Sequence, residues 1–204
     1  MTNDTGGKWS AGVFALLVAL CLFPYLLQFP HVFDEGIMVV GAARVAHGAV
    51  PYRDFYSIYP PGGFYNLAGI FRLFGYSFLI ERLWTALARI GVCLVVFAIG
   101  RRLVSARASY LPCLLTGIIL LTGTCSGFEP EALFWSLVAV LLLLRCFPGN
   151  RRGWLLLSGI AAGMATLYRL DAGVWTSFSA AVTNSRARGL KNQKRAMVES
   201  SRHR

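Results

Sequence analysis

The sequence predicts an all-α membrane protein, a polytopic bundle of transmembrane helices with interfacial helices after the first span. Three observations carry that prediction. Hydrophobic residues make up 56% of the 204 positions, with a mean hydropathy of +0.57, more apolar than a water-soluble core requires. Long runs without charge recur along the chain, and the polar stretches between them are short. The formal net charge of +11 is also unevenly placed: seven Lys or Arg and one Glu lie from Asn184 onward, which puts +6 in the C-terminal tail. The rest is only mildly basic, so no nucleic-acid partner is expected. Residues 1–175 read as one transmembrane domain and 176–204 as a basic, disordered tail.

Each element follows in order. A bilayer core about 30 Å thick needs roughly 20 helical residues, and 10–29 (SAGVFALLVALCLFPYLLQF) supply them without a charge, kinked at Pro24. A cleaved leader is the weaker reading, because the run exceeds a usual signal core and no small-residue cleavage pattern follows Phe29. Next come Asp34 and Glu35, then GIMVVGAARVAHG (36–48), a short amphipathic helix whose N-terminus suits the acidic pair and whose end falls at Gly48. The stretch GAVPYRDFYSIYPPGG (48–63) predicts an ordered, non-helical outer loop in which the two prolines hold Tyr59 extended. Its aromatics equally suit an interfacial belt.

Residues 64–78, FYNLAGIFRLFGYSF, are short for a span and carry Arg72 at their middle. They predict a helix lying in the outer interface, aromatics toward the acyl boundary and Arg72 among the headgroups. Four spans are predicted beyond it, near 80–100, 109–124, 132–147 and 154–168, while 174–183 are too few to cross.

Orientation comes from arginine. Arg101, Arg102 and Arg107 form one cluster and Arg145, Arg151 and Arg152 a second, and both face the cytoplasm only if 80–100 runs from outside to inside. Seven of the nine acidic residues (Asp34, Glu35, Asp54, Glu81, Glu129, Glu131 and Asp171) then fall at the outer ends of helices or in outer loops. The positive-inside tendency does not demand that segregation, and a shared outer site explains it.

Several side chains are candidates for that site. Asp34 or Glu35, held at membrane depth, suits a general base toward a hydroxyl, though a helix-capping acidic pair has the same look. Arg82, at the outer start of a span, fits snorkelling to the lipid headgroups, and Arg89, two turns deeper, fits a structural salt bridge. Glu129 and Glu131 flank Pro130 at a helix start, as the dipole alone would favour. The five cysteines show no repeated spacing and read as small core hydrophobes. There is no DxD motif and no clustered histidine; His31 and His47 read as interfacial polar residues, and neither metal nor cofactor is predicted.

The order of an apolar span, DE, a short helix, GAVPYRDF, YPPG, an aromatic helix ending in LFG, and ERL opening a span that ends in GRRL resembles the N-terminal half of polytopic glycosyltransferases of the GT-C class. The nearest likeness is to the bacterial branch related to protein mannosyltransferases and aminoarabinose transferases, over residues 10–175. The resemblance implies a polyprenyl-phosphate or diphosphate sugar donor, a glycan, lipid or protein acceptor, and transfer at the outer face of a bacterial plasma membrane. It implies Asp34 as catalytic base with Glu35 the near alternative, and Arg82 and Arg169 toward the donor phosphate. Arg53, Tyr59, Glu131 and Asp171 become substrate-site candidates, the last through the basic-x-acidic pattern of YRLDAG (168–173). Relatives of this type run longer, so the resemblance also implies an incomplete transferase. A transporter or channel subunit and a non-catalytic membrane scaffold are the rival readings.

Overall fold

A computed structural model describes residues 33–105, 108–121, 127–146 and 152–179 and positions 181, 182 and 185. The expected first span and most of the expected tail over 176–204 lie outside the described residues, as do Arg107 and Arg151, while the described tail positions 176–179, 181, 182 and 185 are helical. Within them the chain is all-helical: α1 (Asp34–Ala46), α2 (Pro61–Phe74), α3 (Phe78–Leu103), α4 (Tyr110–Leu121), α5 (Glu129–Cys146) and α6 (Arg152–Tyr168). These correspond to the two short helices and four long apolar segments that the sequence predicts. With 26 residues, α3 is the one described helix long and apolar enough to cross a membrane. The described part of α4 has 12 residues, against the roughly 20 that a span needs.

α1 and α2 pair face to face. Met38, Ala42 and Val45 meet Phe64, Leu67, Ala68 and Phe71, a spacing of three and four residues on both helices that gives each one buried stripe. Gly41 makes the approach possible, since a Cβ there would lie 2.4 Å from the Phe64 ring. The structure thus turns Phe64 and Phe71 inward, against the sequence expectation that the aromatics of this helix face lipid. Tyr65 and Phe74 are the aromatics of this helix left exposed. Arg72, exposed, donates its guanidinium to the Ala46 carbonyl at 2.9 Å, where the end of α1 leaves carbonyls without helical partners.

Helices α3 to α6 form the other layer. α3 packs on α4 and α5, and α5 runs antiparallel to α6. Val92 and Cys93 of α3 close on Cys113 and Leu120 of α4. Small residues carry the α5–α6 contact, where Ala139 meets Ala161 and Ala162 and the Ser158 hydroxyl donates to the Ala139 carbonyl at 2.8 Å. Phe128, just ahead of α5, joins the two layers: its ring meets Phe64 edge to face at 5.3 Å and Tyr168 at 6.3 Å. Glycines 62 and 63 of the YPPGG stretch permit that junction, because a Cβ at Gly63 would meet the Phe128 ring at 2.5 Å and one at Gly62 the Leu167 carbonyl oxygen at 2.6 Å.

Connectivity fixes which ends coincide. The starts of α1, α3 and α5 and the end of α6 share one end of the molecule, as the side-chain contacts below require. Arg101 and Arg102 lie at the far end of α3, with Arg145 of α5 over the Trp154 ring of α6 at 5.3 Å.

Candidate active site at the helix ends

Two neighbouring carboxylates at the start of α1 part company. Successive residues of a helix project about 100° apart, so Glu35 turns inward to 6% exposure while Asp34 stays at the edge, partly exposed. Glu35 accepts from Arg82 of α3 twice, from Nε at 3.2 Å and Nη2 at 3.1 Å, and Arg82 is itself buried. This is a buried, forked ion pair tying α1 to α3. Asp34 accepts instead from the Tyr59 hydroxyl at 3.0 Å.

Tyr59 is well held for a loop residue. Its backbone amide donates to the Ser57 hydroxyl at 3.0 Å, its carbonyl accepts from the Tyr52 hydroxyl at 2.7 Å, and its ring meets Phe128 edge to face at 5.8 Å. Gly127, with φ of +66°, passes so close that a Cβ there would stand 3.0 Å from the Tyr59 hydroxyl. Burial, and then the hydrogen bond to Asp34, push the phenol up to about 12, so it remains a donor throughout the physiological range. The loop that carries it is pinned to α1 by Arg44, which donates to the Asp54 carbonyl at 2.9 Å and lies over the Phe55 ring at 4.7 Å. Hydrogen bonds from Arg53 and from the Val50 amide hold the Asp54 carboxyl down at about 2.

α5 splits its acidic residues in the same way. Glu129 faces Arg169, which follows the last residue of α6, and Arg169 also forks onto Asp171 at 3.0 and 2.8 Å. That fork holds the Asp171 carboxyl below the usual carboxylate range. Arg169 and Glu129 are close enough to Tyr59 to act on its phenol. Glu131 turns inward, where Thr85 of α3 sits 3.3 Å from its Oε1 and 2.9 Å from Oε1 of Glu81. Glu81, Thr85 and Arg89 recur every four residues on one face of α3, and Arg89 Nη1 donates to the Leu120 carbonyl at the end of α4 at 2.8 Å.

The site therefore has two layers. At the rim stand Asp34, Tyr59, Glu129, Arg169 and Asp171, all partly exposed or exposed; beneath them lie Glu35, Arg82, Glu81, Thr85, Glu131 and Arg89, all buried. Of the residues the sequence points to, Asp34, Tyr59, Arg169 and Asp171 meet at the rim, and Glu35, Arg82 and Glu131 lie in the layer below. Arg53 stands apart, forked onto its neighbour Asp54 on the loop surface. Thr85, Ser57 and Phe128 were not singled out. Of these, Thr85 carried a signal, its position midway between Glu81 and Arg89.

Among the described residues one helix is long and apolar enough to cross a membrane, and Asp34, Glu35, Glu81, Glu129, Glu131 and Asp171 lie at a common end with Arg82 and Arg169. The sequence model of the dolichyl-phosphate-mannose-protein mannosyltransferase family matches residues 59–197, and the chain belongs to that family. It is a membrane glycosyltransferase of the GT-C type, a family whose members draw on a lipid-linked sugar and pass it to a glycan or protein. Comparison with curated proteins and with solved structures gives no match. The matched segment begins at Tyr59 and so includes Arg82, Glu131, Arg169 and Asp171, while Asp34 and Glu35 precede it.

Proposed function

We propose that the chain moves a sugar from a polyprenyl-phosphate or diphosphate donor to an acceptor hydroxyl at the outer face of a bacterial plasma membrane, with Asp34 as general base. The observation that carries this is the division of labour at the start of α1: Glu35 is buried against Arg82, and Asp34 is the carboxylate left at the rim. In the reaction Asp34 takes the acceptor's proton as the acceptor oxygen bonds to C1 of the sugar. The bond from C1 to the phosphate oxygen breaks, the phosphate departs with the electron pair, and the anomeric centre inverts. Arg169 is the cation best placed to meet that phosphate, exchanging its exposed partner Asp171 for the donor's oxygens. Arg82 acts through Glu35, which it keeps from the rim.

A transport path lined by Arg82 and Arg89 is the weaker reading, since Arg82 is engaged by Glu35 and Arg89 by the end of α4. The family's name makes mannose the first sugar to try. With polyprenyl-phosphate mannose and a serine-containing peptide, Asp34→Asn is expected to lower kcat by roughly 10²-fold or more while the protein stays folded. Turnover equal to the wild type would remove Asp34 from the mechanism.

A further inference from the structure

We infer that Tyr59 is a positioning residue for the Asp34 carboxylate: its hydroxyl donates to Oδ1 at 3.0 Å and so reserves Oδ2 for the acceptor proton. This deepens the reading of Asp34 as base and rests on it. A carboxylate at the first turn of a short helix has two soft side-chain torsions and no fixed plane of its own. The phenol supplies that plane only if it is itself immobile, and the loop is built to make it so. Ser57 and Tyr52 fix the backbone at Tyr59 from two sides. The ring then lies against Phe128, whose place between Phe64 and Tyr168 ties it to α2 and α6. A side chain at position 127 would crowd the Tyr59 hydroxyl, so Gly127 keeps the way to Asp34 clear. Burial and the bond to Asp34 push the phenol up to about 12, so the donor proton is held at physiological pH. Positioning of this kind acts on the chemical step, because a base held off line by about 1 Å costs roughly 10²-fold in rate.

The test is a cycle of Tyr59→Phe, Asp34→Asn and the double variant, with polyprenyl-phosphate mannose as donor and Tyr56→Phe as control, Tyr56 being 86% exposed. Tyr59→Phe keeps the ring against Phe128, so its melting temperature in detergent should match the wild type. Its kcat is expected to fall roughly 10- to 100-fold with KM within about twofold. Once Asp34 is Asn, the same change should do little more. An unchanged kcat, a loss confined to KM, or a full further loss in the Asp34→Asn background would overturn the inference. A second readout needs no turnover. In isotope-edited infrared spectra the Tyr59 C–O stretch, identified by its absence from Tyr59→Phe, should shift when Asp34 becomes Asn. A band that stays in place overturns the inference even if Asp34 proves to be the base, whereas a shift in a protein that transfers nothing sustains the contact and sinks only the proposed reaction.

Discussion

Glu35 and Arg82 pose the sharpest question at the scale of single residues, because both are buried and each is the other's hydrogen-bonded partner. Removing one partner of such a pair strands a buried charge, which costs ~3–5 kcal/mol, whereas replacing both with apolar groups is often tolerated. Glu35→Gln and Arg82→Met are each expected to lower stability in detergent by about that amount, and the double variant to recover part of it, as measured by thermal unfolding. Additive losses would mean that the pair is not the tie between α1 and α3. Asp54 makes a different prediction. Its carboxyl is depressed to about 2 from an ordinary 3.8, so the order it lends the loop is fully present above pH 4 and is lost as pH falls through about 2. The Val50 amide, which donates to Asp54 Oδ2 at 2.7 Å, reports it: protection from exchange, corrected for intrinsic rate, should hold at pH 5 and vanish near pH 2. Protection unaltered across that window would show that the loop is held by other contacts.

Among elements, the junction of α2 with Phe128 positions the rim, and glycine makes it possible. Gly63→Ala forces a Cβ against the Phe128 ring and is expected to destabilise by ~1–3 kcal/mol. Gly69→Ala, on the exposed face of the same helix with nothing within 4 Å, should stabilise by ~0.5–1 kcal/mol. Thermal unfolding of the two variants checks both signs, and equal effects would deny the close approach. This level also shows what the sequence could and could not convey. The helices were legible because their apolar runs and turn signals are local: the LFG ending of α2 marks a real boundary, whereas α3 opens three residues ahead of ERL, at Phe78, where the Ser77 hydroxyl accepts from the Leu79 amide. Partners were not. The inward stripe of α2 is visible in the spacing of Phe64, Leu67, Ala68 and Phe71, but whether it faces lipid or α1 depends on Met38, Ala42 and Val45, some 26 residues earlier. Arg82 was open between phosphate and headgroup for the same reason, since Glu35 stands 47 positions away. The rim contacts of Tyr59 with Asp34 and Arg169 with Glu129 span 25 and 40 positions. Pairings that distant are set by the fold and have no local signature.

For the whole molecule, the weight falls on polarity along the helix axes. From Arg82 to Arg102 α3 rises about 30 Å at 1.5 Å per residue, the thickness of a bilayer core. One end gathers Asp34, Glu35, Glu81, Glu129, Glu131, Asp171 and their arginine partners, and the other carries Arg101, Arg102 and Arg145. If the second end is cytoplasmic, as arginine in short loops prefers, the rim with Asp34 meets a donor presented outside. Single cysteines at positions 56 and 103, both exposed, mark the two ends. In a background whose native cysteines are replaced by alanine, a membrane-impermeant maleimide added to intact cells should label position 56 and spare position 103 until the membrane is opened. Labelling of both from the same side, or of 103 alone, would contradict the account.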